Sequence, residues 1–124
     1  MTEDLTSLLT VQVSTVPEAA VVAAAGDLDL GTASVLRAQA VAVLAGRPDA
    51  LIVDLGGIAF CGSAGLQVLA ELAETTGAAG MAFAVVADRY PVLRPVALSG
   101  MAATLTVHGT VDGARGWIRE QAAR

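Results

Sequence analysis

Two short apolar runs, each followed by a helical pattern, constrain the fold of this chain most. Residues 50–55 (ALIVDL) and 81–86 (MAFAVV) are apolar at nearly every position. Strands that are buried on both faces are typical of the centre of a parallel sheet. Parallel neighbours need a crossover connection, which is usually a helix, so the pattern predicts an α/β domain.

The segments around these strands carry the apolar spacing of amphipathic helices. The first is predicted from 33 to 44, and the second follows the small-residue loop 61–65 and ends at about 76. A third follows Asp88 and ends at 99–100, and it is irregular unless Pro95 still lies in its first turn. A last helix opens at Thr110 or Asp112.

The ends of the chain add three more strands. Residues 8–14 alternate apolar and polar, and 20–25 follow after a turn, which predicts an antiparallel hairpin that Gly26 ends. A short alternating run at 103–107 predicts the fifth strand. The expectation is one domain, 1–124, with a mixed sheet of about five strands, largely parallel after the hairpin, about four helices, and disordered ends at 1–6 and 122–124.

Composition excludes several classes of function. The one cysteine and the one histidine leave no internal disulfide and little for a transition-metal site, so no metal or other cofactor is expected. The net charge is −5 and the seven arginines are scattered, which argues against nucleic-acid binding. No apolar run reaches the roughly 18 residues of a membrane span, and the acidic start lacks a signal-peptide pattern, so a cytoplasmic protein is expected.

No catalytic residues can be assigned from these motifs. Cys61 has no base near it and is more simply a buried thiol. Asp27 and Asp29 are a carboxylate pair without a second polar cluster, which argues against acid–base catalysis and against a metal site. No glycine-rich nucleotide loop is present. An enzyme is therefore not expected.

Two loop motifs, in this element order, resemble those of the STAS domain family, and in particular of the free-standing bacterial anti-sigma-factor antagonists. Residues 26–29 (GDLD) resemble the Gly-Glu-Leu-Asp signature that follows the second strand. Residues 60–66 (FCGSAGL) resemble the Asp-Ser-Ser-Gly-Leu signature before the second helix, and 97–101 (ALSGM) weakly resemble a later helix end. The resemblance covers nearly the whole chain and implies helices mainly on one side of the sheet.

The resemblance implies a regulatory binding module. In that family the unphosphorylated domain binds an anti-sigma factor that is also a serine kinase, and so releases a sigma factor. The kinase phosphorylates a serine at the start of the second helix, and the complex dissociates. A phosphate adds about −1.5 to −2 charges, which a helix N-terminus tolerates and a close-packed interface does not.

This chain departs from the family pattern at the position that should carry the phosphate. Aligned on Gly65 and Leu66, the family's phosphoacceptor serine falls on Ala64, which has no hydroxyl, and its aspartate falls on Gly62. Ser63, one residue earlier, either N-caps the helix or substitutes as the acceptor, and both roles stay open.

The resemblance also implies where a partner would bind. The interface would centre on residues 62–66 (GSAGL) and on the loop that carries Asp27, Asp29 and Thr32, where Thr32 is also a reasonable helix N-cap. Ordinary turn formation is an equal interpretation of the two aspartates. A small-molecule or nucleotide-sensing STAS domain without phosphorylation control is the alternative function, and a homodimer is left open.

Overall fold

The computed structural model describes residues 8–124, so the disorder predicted at 1–6 lies outside the described residues. The chain forms, in order, β1 Leu9–Val16, β2 Ala19–Leu28, α1 Ala33–Ala45, β3 Ala50–Cys61, α2 Ser63–Ala78, β4 Ala82–Val86, α3 Tyr90–Ser99, α4 Ala102–Leu105, β5 Val107–His108 and α5 Val111–Ala122. At the C-terminal end, the amide of Arg124 still donates to the carbonyl of Gln121, and the disorder predicted at 122–124 stays a prediction.

The strands form one mixed sheet in the order β1-β2-β3-β4-β5. β1 and β2 are an antiparallel hairpin, and every other pair is parallel. The predicted mixed α/β sheet of five strands is confirmed. β3 lies at its centre because its apolar residues Leu51, Ile52 and Val53 are completely buried on both faces.

Four of the five helices cover one face of the sheet, as the resemblance implies. Buried side chains of α1 to α4 pack with Val22, Leu51 and Val53 in the larger core. The opposite face is covered by α5, whose Ala114 and Ile118 pack against Val21, Ile52 and Ala84 in the smaller core. Leucine, valine and alanine dominate the larger core, and alanine, valine and isoleucine build the smaller one, as the low aromatic content requires.

β2 and β3 both extend beyond the glycines that were predicted to end or loosen them. Parallel pairing resumes after a shift in register, so that Asp27 lies opposite Phe60 and Leu28 lies opposite Cys61. Gly26 permits this because its φ is +110°, and a Cβ there would lie 2.2 Å from the carbonyl oxygen of Leu8. The glycine therefore bends β2 without ending it, and the strand delivers its loop to the end of β3.

The prediction of a strand at 103–107 is wrong for residues 103–105. Residues 102–105 form the short helix α4, which turns the fully buried Leu105 into the larger core. Thr106 then adopts a left-handed conformation (φ 46°), and only Val107 and His108 pair with β4. Alternation over only five residues is compatible with one helical turn as well as with a strand. The helical turn forms here because it buries Leu105 in the larger core.

The third helix forms without a break at Pro95, which lies in its second turn. Pro91 stands in the first turn, where a missing N–H is harmless. The residue before the helix is Arg89 and not the predicted Asp88, and Gly100 ends the helix in a left-handed conformation as expected. This helix exposes the large side chains of Tyr90 and Leu98 on its outer face.

An ion-pair cluster joins the last helix to the turn of the hairpin. The carboxylate of Glu18 accepts hydrogen bonds from Arg115 and Arg119, each at 2.8 Å. These two guanidinium groups lower the pKa of Glu18 from its ordinary value of 4.5 to about 2. Because the pKa is lower in the folded state, Glu18 stabilises the fold above pH 4.5, and this stabilisation is lost as the pH falls to about 2.

We therefore expect Glu18→Gln to make the free energy of unfolding less dependent on pH below pH 4.5. The free energy of unfolding of the unmodified chain should fall more steeply between pH 4.5 and pH 2 than that of the variant, because only the former must protonate Glu18. Urea denaturation at a series of pH values measures this directly. Parallel curves for the two proteins would show that the cluster does not stabilise the fold.

Candidate functional site

The two motif loops meet at the carboxyl ends of β2 and β3. Because Leu28 pairs with Cys61, the strands end side by side, and the amide of Gly62 donates to the carbonyl of Leu28 at 2.9 Å. One loop then enters α1 and the other enters α2. The carboxyl edge of a parallel sheet is where α/β proteins place binding residues, so the sequence-predicted residues are brought together where a site is expected.

The first loop is held by its own polar side chains. The Oδ1 of Asp29 accepts hydrogen bonds from the amides of Gly31 (3.0 Å) and Thr32 (3.1 Å), which is the predicted turn role. Thr32 occupies the N-cap position of α1, but its hydroxyl donates backward to the carbonyl of Asp27 at 2.7 Å. Thr32 is completely buried, so it shapes the loop from inside.

The second loop is shorter than expected, because α2 begins at Ser63. Gly62 is the N-cap residue, with extended backbone (φ −96°, ψ −178°), and no side chain caps the helix. Ser63 is therefore the first helical residue, and its predicted role as the N-cap is wrong. The physical reason is that β3 runs on to Cys61, which leaves only Gly62 between strand and helix. The side chain of Ser63 is exposed.

The start of α2 presents free backbone donors. The amides of Gly65 and Leu66 donate to the carbonyl of Gly62 at 3.1 and 3.2 Å. The amides of Ser63 and Ala64 precede the first helical hydrogen bonds and have no acceptor within the helix. Together with the helix dipole, they favour an acceptor or an anion at this position.

Gly65 is required by the packing of the two loops. A Cβ at this position would lie 2.6 Å from Cγ and 2.7 Å from Cδ2 of Leu28, which is completely buried. The same Cβ would lie 3.4 Å from the Sγ of Cys61. Burial raises the pKa of the Cys61 thiol, which keeps it protonated and unreactive, as a buried structural cysteine should be. This glycine lets α2 begin directly against β2.

The exposed part of the site is smaller than the predicted set of residues. Thr32 and Gly65 are buried and act as supports. The accessible residues of the two loops form what we call the two-loop surface: Asp27, Asp29, Leu30, Gly31, Gly62, Ser63, Ala64 and Leu66. Among them Leu30 is 88% exposed, an unusual position for a large apolar side chain.

Several exposed apolar residues beside this surface have no role predicted from the sequence. Phe60 is 52% exposed, Tyr90 67% and Leu98 73%. The signal that could have identified Phe60 and Tyr90 is the scarcity of aromatic residues, since the chain has only four. Aromatic side chains are normally buried in the core. Exposed aromatic rings at Phe60 and Tyr90, next to a loop motif, therefore indicate a binding surface.

The two helices that carry the surface are tied together by an ion pair. On α1, the guanidinium of Arg37 donates to the carboxylate of Glu71 on α2 at 2.9 and 3.2 Å. Both side chains are partly exposed, so solvent screening keeps the contribution of this pair to stability small. Its bidentate geometry links the second turn of α1 to the middle of α2.

Other kinds of site find little support in the part of the chain that the structure covers. Within residues 8–124, no three side chains of His, Cys, Asp or Glu are grouped to hold a metal ion. In the same range, no helix has both the length and the apolar character needed to cross a bilayer.

Comparisons with known proteins agree on the class of domain. The family model described as "Mlab, STAS domain" matches residues 11–109. The anti-sigma-F factor antagonist RsfB of Mycobacterium tuberculosis is 37% identical over 112 residues, which cover 87% of this chain and 91% of that protein.

Solved structures extend the likeness to three dimensions. The crystal structure of an anti-sigma factor antagonist from Mycobacterium paratuberculosis superimposes with a TM-score of 0.85 at 35% identity, covering 90% of this chain and 94% of the other. The Thermotoga maritima protein TM1081 superimposes with a TM-score of 0.78 at 18% identity, over 88% of this chain and 94% of that one. At that identity the second likeness concerns the fold alone.

Proposed function

The chain belongs to the STAS domain family, and we propose that it is an anti-sigma-factor antagonist, a cytoplasmic binding module that captures an anti-sigma factor and so releases a sigma factor. The relatives named for this activity match nearly their whole length. The proposal needs no catalytic step, since binding alone shifts the sigma factor from its inhibitor to the polymerase.

The observation that carries the proposal is the two-loop surface itself. It combines free backbone amides at Ser63 and Ala64, small side chains that allow close approach, and the exposed Leu30. A surface of small side chains with one exposed leucine suits a protein partner, which contacts a broad area through apolar and small residues. The absence of an arginine from residues 26–32 and 60–66 also counts against a phosphate-bearing ligand.

The proposal is tested by competition for the anti-sigma factor encoded in the chain's own genome. A preformed complex of that anti-sigma factor with its sigma factor is titrated with the purified chain, and free sigma factor is measured by size-exclusion chromatography. We expect release of the sigma factor in proportion to the chain added. No release, combined with a calorimetric response to ATP or GTP, would instead favour the nucleotide-sensing alternative.

Control by phosphorylation, in this proposal, falls on Ser63. Ala64 cannot accept a phosphate, and Ser63 is the one hydroxyl in residues 62–66. Its exposed position in the first turn of α2 leaves it open to a kinase, and the helix N-terminus would stabilise the added charge within the folded domain. The same charge in a desolvated interface would expel the partner.

We expect phosphate on Ser63 after incubation with the cognate serine kinase and ATP. Intact-mass and peptide mass spectrometry should show one added phosphate, and Ser63→Ala should show none. A family member that carries serine at the position of Ala64 serves as the positive control for the kinase. Phosphate on that control but not on Ser63 would rule out the acceptor role.

A further inference from the structure

A shallow apolar groove lies beside the two-loop surface, between the end of β3 and α3. It has a volume of about 460 Å³ and is formed mainly by Phe60, Cys61, Tyr90, Arg94, Pro95 and Leu98. The two largest apolar side chains on its α3 side, Tyr90 and Leu98, are 67% and 73% exposed. Neither belongs to a core cluster, so neither is explained by folding.

The inner face of α3 already accounts for the stability of this helix. Val92 and Val96 are 1% and 2% exposed and pack into the larger core. The outer residues Leu98 and Tyr90 would be replaceable by polar residues without loss of burial. An amphipathic helix that keeps apolar residues on its outer face commonly has a second surface to bury them against.

The charge of the groove indicates the chemistry of its occupant. The guanidinium of Arg94 lies 5.6 Å from the ring centroid of Tyr90, which holds the cation at the groove. Among residues 8–124, the arginines in ion pairs are 37, 115 and 119, and neither Arg89 nor Arg94 is paired. In a chain of net charge −5, the unpaired Arg94 in the lining of an apolar groove favours a partner carboxylate.

The groove and the two-loop surface are continuous. The ring of Phe60 lies against Gly62 of the two-loop surface, since a Cβ placed on Gly62 would be only 3.3 Å from its Cε2 atom. Gly62 begins the two-loop surface, and Phe60 lines the groove. A partner seated on Ser63 and Ala64 therefore reaches the groove without crossing a polar gap.

We propose that the groove receives an apolar segment of the anti-sigma factor that carries a carboxylate opposite Arg94. This inference rests on the proposed function and adds to it a second contact region and the chemistry of the partner segment. Tyr90 and Leu98 then act as anchors for aliphatic side chains, and Arg94 selects the acidic residue next to them.

The test is isothermal titration of the cognate anti-sigma factor with two groove variants, Leu98→Gln and Arg94→Glu. Both side chains are exposed, so the fold should survive both changes, which thermal denaturation checks. Each variant should raise Kd by about tenfold or more. Added salt should also narrow the difference in Kd between the Arg94→Glu complex and the unmodified complex, because an attractive charge pair has been replaced by a repulsive one and salt screens both.

Matched controls separate the groove from general surface effects. Val41→Gln removes an exposed apolar side chain from α1, which contributes nothing to the groove, and Arg47→Glu reverses an exposed charge at the other end of the sheet. Both should bind within about twofold of the unmodified chain. Unchanged Kd for both groove variants, while Ala64→Asp weakens binding, would overturn the inference and leave the proposed function standing. Failure of the unmodified chain to bind would overturn both.

Discussion

Replacing Ala64 with aspartate is expected to weaken the complex with the anti-sigma factor by about 2–4 kcal/mol, because it places a charge at the centre of the two-loop surface. The free domain should tolerate the change. Ala64 is the second residue of α2, where a carboxylate is favoured by the helix dipole by about 0.3–1 kcal/mol. Loss of binding without loss of stability is the expected result, measured by titration calorimetry together with thermal denaturation.

Ala42→Asp is the matched control for this prediction. It makes the same substitution at an exposed position of α1, away from either loop. We expect its affinity to stay within about 0.5 kcal/mol of the unmodified chain. If Ala64→Asp bound as tightly as Ala42→Asp, the start of α2 would not be part of the interface.

Two glycine-to-alanine substitutions in α2 are expected to change stability in opposite directions. Gly65→Ala should destabilise the domain by about 1–3 kcal/mol, because the new methyl group would overlap the buried Leu28. Gly77→Ala should stabilise it by up to about 1 kcal/mol, because nothing lies within 4 Å of its Cβ and alanine is the better helix former. Urea denaturation of both variants gives the comparison.

A double-mutant cycle identifies Leu28 as the cause of the Gly65 effect. Leu28→Ala alone should cost about 2–5 kcal/mol by opening a cavity. With that space available, adding Gly65→Ala should cost about 0.5–3 kcal/mol less than it does alone, since the methyl group no longer meets a side chain. Strictly additive free energies would mean that the contact between the two loops is not what requires a glycine.

The architecture was predictable because it depends on patterns that burial enforces. The apolar runs at 50–55 and 81–86 can lie only in the centre of the sheet, and the helical spacing between them dictates parallel crossovers. The extension of β2 past Gly26 was not predictable in the same way. A glycine at this position is compatible with either the end of a strand or a bend within it. The strand continues because β2 keeps pairing with β3 after a shift in register.

The two loops of the candidate site could be predicted from the sequence, but the exposure of their residues could not. Motif and spacing placed Asp29 and Ser63 near each other, yet exposure depends on how the strands end. The strand predicted at 50–55 continues to Cys61, which leaves Gly62 as the N-cap and places Ser63 inside the helix. The exposure of Tyr90 and Leu98 could not be predicted from the local sequence pattern. It depends on which side of α3 packs against the sheet, and only the tertiary structure shows that.

The most direct measurement of partner binding at the two-loop surface is amide mapping by nuclear magnetic resonance. A labelled sample of the chain is titrated with the cognate anti-sigma factor, and the shift of each backbone amide is recorded. The largest changes should fall on Leu30 and on the two amides without a helical acceptor, Ser63 and Ala64. Changes confined to α5 or to the outer edge of β1, with Ser63 and Ala64 unaffected, would contradict the proposed site.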